Sequence, residues 1–82
     1  MVRQQDHFGI MRDIQKAFWR YTDIRMYLMW LDEEAIVTLV REGANEEDFP
    51  VIVVPKKAGT VDEEIFKSTV EYLEDLLKRN AA

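Results

Sequence analysis

The segment Val51-Ile52-Val53-Val54 lies between Pro50 and Pro55 and constrains the fold more than any other part of the sequence. Consecutive β-branched residues favour a strand over a helix, and the prolines keep this strand short because neither can donate a backbone hydrogen bond. An isolated short strand leaves its backbone N–H and C=O groups unpaired, so further strands are needed. We expect a chain of 82 residues to form one domain, residues 1–82, because it is too short for two.

The region from residue 24 to residue 41 supplies the missing strands if it folds as a hairpin. We predict one strand over Ile24–Leu31, a turn at Asp32-Glu33-Glu34 and a second strand over Ala35–Arg41, because Ile36 to Val40 is β-branched at four of five positions. The alternative is a mainly α fold with one long N-terminal helix, since apolar residues from Ile10 onward recur at spacings of three and four. The need for a ladder favours the hairpin.

Helical patterns flank the predicted strands. The first helix is expected to end near residues 20–22. The second is expected to begin near residue 62, because Thr60 with Glu63 matches a capping box and Asp62 is an equally good N-cap. It is expected to end near Arg79, with apolar residues at spacings of three and four in between. The predicted order is therefore helix, strand, strand, strand, helix. This is an α+β domain with a three-stranded antiparallel meander.

Both faces of the predicted sheet are apolar. In the first strand Met26, Leu28 and Trp30 alternate with Tyr27, Met29 and Leu31, and the other two strands show the same two-sided pattern. Either one helix covers each face, or both helices cover one face and a partner covers the other. A second copy of the chain is the simplest partner. The residues predicted to lie at this interface are Trp19, Tyr27, Met29 and Trp30.

The charge of the chain argues against a nucleic-acid partner, and its composition argues against disulfide bonds and zinc–thiolate sites. The formal net charge is −5, no run of Lys and Arg offsets it, and there is no cysteine for a disulfide or a zinc–thiolate site. The order of elements is similar to that of double-stranded-RNA-binding domains, but Asp62-Glu63-Glu64 stands where those domains have basic residues, which argues against RNA. No apolar run is long enough to cross a membrane and the first residues do not form a signal peptide, so we expect a cytoplasmic protein without a membrane partner.

Few residues are suited to catalysis or to cofactor binding. Ser68 is the only serine and lies within a predicted helix, His7 is the only histidine, and the three glycines are isolated from one another. These residues predict neither a catalytic triad nor a phosphate-binding loop, so we expect no enzymatic activity and no cofactor.

The sequence therefore predicts a non-enzymatic, acidic interaction module that binds a protein partner, with a homodimer as the expected assembly. The alternative function is weak binding of Ca²⁺ or Mg²⁺ by acidic loops, because oxygen-rich loops suit these cations. Its candidate ligands are Asp32, Glu34, Glu46, Glu47 and Asp48.

Overall fold

A computed structural model describes residues 6–41, 43 and 49–81 of the chain. Its elements in chain order are α1 (His7–Tyr21), β1 (Ile24–Trp30), β2 (Glu34–Arg41), β3 (Ile52–Lys57), β4 (Thr60–Val61) and α2 (Glu63–Asn80). The predicted α+β order of helix, strands and helix is confirmed. The sheet has one more strand than predicted, because the two residues of β4 pair with the end of β3.

The first helix is short, and the alternative of one long N-terminal helix is wrong. Asp6 caps the start of α1 by accepting a hydrogen bond from the Gly9 backbone N–H at 2.9 Å. At the other end Thr22 has extended backbone angles, and its hydroxyl donates to the Phe18 carbonyl at 2.8 Å. The same hydroxyl accepts from the Ile24 N–H at 3.0 Å. Thr22 thus satisfies the end of the helix and the start of β1 together.

The four strands form one antiparallel sheet in the order β1-β2-β3-β4. Three residues, Leu31, Asp32 and Glu33, connect β1 to β2, and the Leu31 N–H donates to the Glu34 carbonyl at 2.9 Å. The turn predicted at Asp32-Glu33-Glu34 therefore has the right length but begins one residue too late, because β1 ends at Trp30 and Glu34 already belongs to β2.

The third strand continues through Pro55, whereas the sequence predicted an end at Val54. Val54 pairs with Ala35, Pro55 pairs with Glu34, and the Lys56 N–H donates to the Glu33 carbonyl at 2.9 Å. Donors toward β2 therefore come from the residues on either side of the proline. The donor that Pro55 lacks would point away from β2, so the proline does not interrupt this ladder.

A two-residue turn at Ala58-Gly59 joins β3 to β4. Ala58 has φ 54° and Gly59 has φ 80°, which is the pair of positive φ angles that a type I′ turn requires. Glycine adopts such angles freely, whereas alanine is strained there because of its Cβ.

We expect Ala58→Asn to stabilise the domain by about 0.5–1 kcal/mol, because asparagine tolerates the left-handed region better than alanine and Asn-Gly is a preferred type I′ pair. Urea denaturation followed by circular dichroism measures the difference. Gly59→Ala is the matched variant in the same turn, and it should lower the free energy of unfolding. A loss of stability in Ala58→Asn would contradict this account of the turn.

Both helices pack on the same face of the sheet, which we call the inner face. The core combines α1, α2 and the inward-pointing residues of the strands, and its completely buried side chains include Phe18 of α1, Leu73 of α2 and Val37 of β2. Of the two caps predicted for α2, Asp62 is the one that forms, and it accepts from the Ile65 N–H at 3.0 Å, whereas Thr60 belongs to β4. Of the two arrangements that the sequence left open, the chain adopts the one in which neither helix covers the second face.

Candidate functional site

The face of the sheet opposite the two helices is apolar, and we call it the outer face. Its central side chains are those of Tyr27 and Met29 from β1, Ile36, Thr38 and Val40 from β2, and Val53 from β3. Tyr27 and Met29 leave 49% and 53% of their surfaces exposed, and Val40 and Val53 each leave 46% exposed. The solvent-exposed face of an antiparallel sheet normally carries polar side chains instead.

The register of the sheet makes these residues contiguous. Met29 pairs with Ile36, and Ile36 pairs with Val53, so one apolar row crosses three strands. Tyr27 pairs with Thr38 in the neighbouring row of the β1–β2 ladder. Side chains that are directly opposite on one face of a sheet lie within contact distance of one another. The outer face is therefore a continuous patch rather than a set of scattered apolar residues.

Trp19 extends this patch beyond the edge of β1. Its indole Nε1 donates to the Met26 carbonyl at 2.9 Å, and Gln15 Nε2 donates to the same carbonyl at 3.0 Å. The Trp19 ring meets the Tyr27 ring edge-on, with 5.7 Å between the ring centroids, and 46% of Trp19 stays exposed. The same contacts occupy an edge carbonyl that could otherwise accept from a further strand.

Trp30 lies elsewhere. It belongs to the inward-pointing set of β1 and is half-buried, with its ring edge-on to Phe8 at 5.3 Å between centroids. The Lys56 ammonium nitrogen lies 4.4 Å from the centroid of the Trp30 ring. The structure therefore brings together three of the four predicted interface residues, Trp19, Tyr27 and Met29, and separates Trp30 from them.

Three apolar residues at the centre of the outer face were not among those predicted for the interface: Ile36, Val40 and Val53. Strand alternation places Ile36 and Val40 on one side of β2, and Val53 on the corresponding side of β3. The alternation of side chains in the sequence already groups these residues on one face. Which of the two faces is exposed follows only from the packing of both helices on the other one.

The only histidine and the only serine lie in different parts of the surface. The His7 Nε2–H donates to Glu63 Oε1 at 2.8 Å and thereby joins the starts of the two helices, and the His7 ring packs edge-on against Phe66. Ser68 lies on α2 in an open groove that also contains Pro50 and Tyr72. No hydrogen bond joins His7 to Ser68 in the described part of the chain, so these two residues do not form a nucleophile–base pair.

The acidic residues considered as cation ligands are only partly described. Asp32 lies in the β1–β2 turn and Glu34 begins β2, while Glu46, Glu47 and Asp48 lie outside the described residues. Within residues 6–41, 43 and 49–81, no group of three or more His, Cys, Asp or Glu side chains lies close enough to hold a metal ion. Cation binding stays a prediction of the sequence.

Neither helix of the described chain is long and apolar enough to cross a membrane. Among the same residues, every fully buried side-chain nitrogen or oxygen has a hydrogen-bond partner, so no orphaned polar group marks a ligand pocket. No protein-family model, curated protein or solved structure matches the chain. The outer face of the sheet is thus the feature on which a functional proposal has to be built.

Proposed function

We propose that this chain is a non-enzymatic interaction module that associates as a symmetric homodimer through the outer face of its sheet. The observation that carries the proposal is the contrast between the two faces. Both helices pack on the inner face, whereas Tyr27, Met29 and Val53 on the opposite face each leave about half of their surfaces exposed. Ile36, which joins Met29 to Val53, is half-buried. Large contiguous apolar patches on small proteins mark interaction sites.

The size of the patch supports a weak to moderate dimer. The exposed surface of Tyr27, Met29, Val40, Val53 and the flanking Trp19 is on the order of 500 Å² in total. Two such faces bury roughly 1,000 Å² in total, which is near the lower limit for a specific protein interface. A dissociation constant of about 1–100 μM is the corresponding expectation.

A second copy fits this surface better than a charged partner does. The centre of the outer face has no charged side chain, so a charged partner surface would lose its hydration there and gain no ion pair. A second outer face is equally apolar, and two sheets that pack face to face form a common layered architecture. The net charge of −5 does not concentrate at the centre of the contact.

Sedimentation equilibrium of the full chain over about 0.5–500 μM tests the proposal, because this range brackets the expected dissociation constant. We expect the weight-average mass to rise from that of one chain to that of two. The midpoint of urea denaturation should also rise with protein concentration, since association stabilises the folded state by mass action. A monomer across the whole range would contradict the proposed function.

A further inference from the structure

Two charged residues belong to the outward-pointing, paired positions of the β1–β2–β3 ladder, and they lie at opposite ends of the outer face. Arg25 is at one end, paired with Val40, and Glu34 is at the other end, paired with Pro55. Val40 and Glu34 are six residues apart along β2, which corresponds to roughly 20 Å. Lys57 lies beyond this ladder, where β3 pairs with β4. The apolar patch therefore has a positive end and a negative end.

The positive end is held in place by contacts within the chain. The Arg25 guanidinium lies over the Trp19 ring, with its central carbon 4.9 Å from the ring centroid. Its Nη1 donates to the Trp19 carbonyl at 3.2 Å and to the Thr22 carbonyl at 3.1 Å. Trp19 lies in the last turn of α1 and Thr22 is the C-cap of that helix, so these contacts hold the guanidinium at the edge of β1. The other N–H groups of a guanidinium stay available to a carboxylate, because it has five in all.

Two sheets that pack face to face with aligned strands can be related by a two-fold axis in either of two directions. An axis parallel to the strands brings like ends together, so that Glu34 faces Glu34 of the second copy. An axis that crosses the strands at right angles brings unlike ends together. Arg25 of each copy then lies beside Glu34 of the other, and the interface contains two such pairs.

We infer that two copies stack with the two-fold axis perpendicular to the strands, and that Arg25 and Glu34 select this orientation. The inference rests on the proposed function, since it requires that the outer face is the contact. The apolar centre favours association in either orientation. The charges at its ends distinguish the two, because like charges brought together at an interface disfavour that arrangement. The outer face therefore binds a second copy of the chain in one defined orientation.

Glu34→Gln is the sharpest test, because the two orientations predict opposite signs. With the axis perpendicular to the strands the variant loses two attractions, and the dissociation constant should rise about threefold to tenfold. With the axis parallel to the strands it removes a Glu–Glu repulsion and should lower the constant. Sedimentation equilibrium of wild type and variant measures both cases. A lowered or unchanged constant would overturn the inferred orientation.

Charge reversal gives an independent check. Arg25→Glu and Glu34→Arg should each weaken self-association, whereas an equimolar mixture should form heterodimers, since every pair in the mixed dimer is attractive. Circular dichroism confirms that each variant is folded, and Glu34→Gln decides the question if loss of the Arg25 contacts unfolds Arg25→Glu. If Arg25→Glu and Glu34→Arg both fold and dimerise as wild type does, the orientation is wrong.

The failure of this inference is distinguishable from failure of the proposed function. If the wild-type chain is a monomer at every concentration, the proposed function fails and the orientation fails with it. If the wild type dimerises but Glu34→Gln does not weaken the dimer, only the orientation fails, and the outer face remains the proposed contact.

Discussion

Replacement of Phe18 by alanine is expected to lower the free energy of unfolding by about 3–5 kcal/mol, because a buried phenylalanine loses both its transfer free energy and its packing partners. Phe18 is completely buried and lies on α1 among the core residues of the inner face. A domain of 82 residues has a total stability of roughly 4–12 kcal/mol, so the variant is expected to be partly or wholly unfolded. Urea denaturation followed by circular dichroism measures the loss.

Phe8→Ala is the matched control for this prediction. Phe8 lies on the same helix but is 40% exposed, with contacts to Trp30 and to the Arg12 guanidinium. We expect it to lose about 1 kcal/mol, because only part of the ring is removed from water on folding. Equal losses in the two variants would contradict the placement of Phe18 at the centre of the core.

The local elements were predictable because their determinants are local. Consecutive β-branched residues at Val51–Val54 require a ladder, and Asp62 is followed by a helical apolar pattern, so strands and the second helix follow from short stretches of sequence. The extension of β3 through Pro55 was not predictable in this way. It depends on which side of the strand β2 occupies, and that is a property of the assembled sheet.

The candidate site was predictable only up to a choice between two arrangements. Alternation along β1 divides its side chains correctly between two faces, but it does not say which face the helices cover. That choice depends on how both helices pack against the sheet and against each other. Trp30 illustrates the difficulty. Its side chain belongs to the inner face, whereas that of its neighbour Met29 belongs to the outer face. Because both faces of the strand are apolar, the sequence predicted both residues for the interface.

Met29→Lys is expected to raise the dissociation constant of the proposed dimer at least about 100-fold. Met29 leaves 53% of its surface exposed, so a lysine at this position can extend into water in the monomer, and its effect on folding should stay within about 0.5 kcal/mol. In the dimer the row Met29–Ile36–Val53 would be covered, and the ammonium group would lose water without gaining a partner. Two-fold symmetry places two such lysines in each dimer.

Ile65→Lys is the matched control for Met29→Lys, because it places the same charge at an apolar residue that is 38% exposed but lies on α2, in the helical layer. Sedimentation equilibrium should find Ile65→Lys dimeric with the wild-type dissociation constant and Met29→Lys monomeric, while circular dichroism shows both to be folded. If Met29→Lys dimerises as tightly as wild type, the outer face is not the contact. If only Ile65→Lys dissociates, the contact lies on the helical layer, and the exposed apolar side chains of the outer face need another explanation.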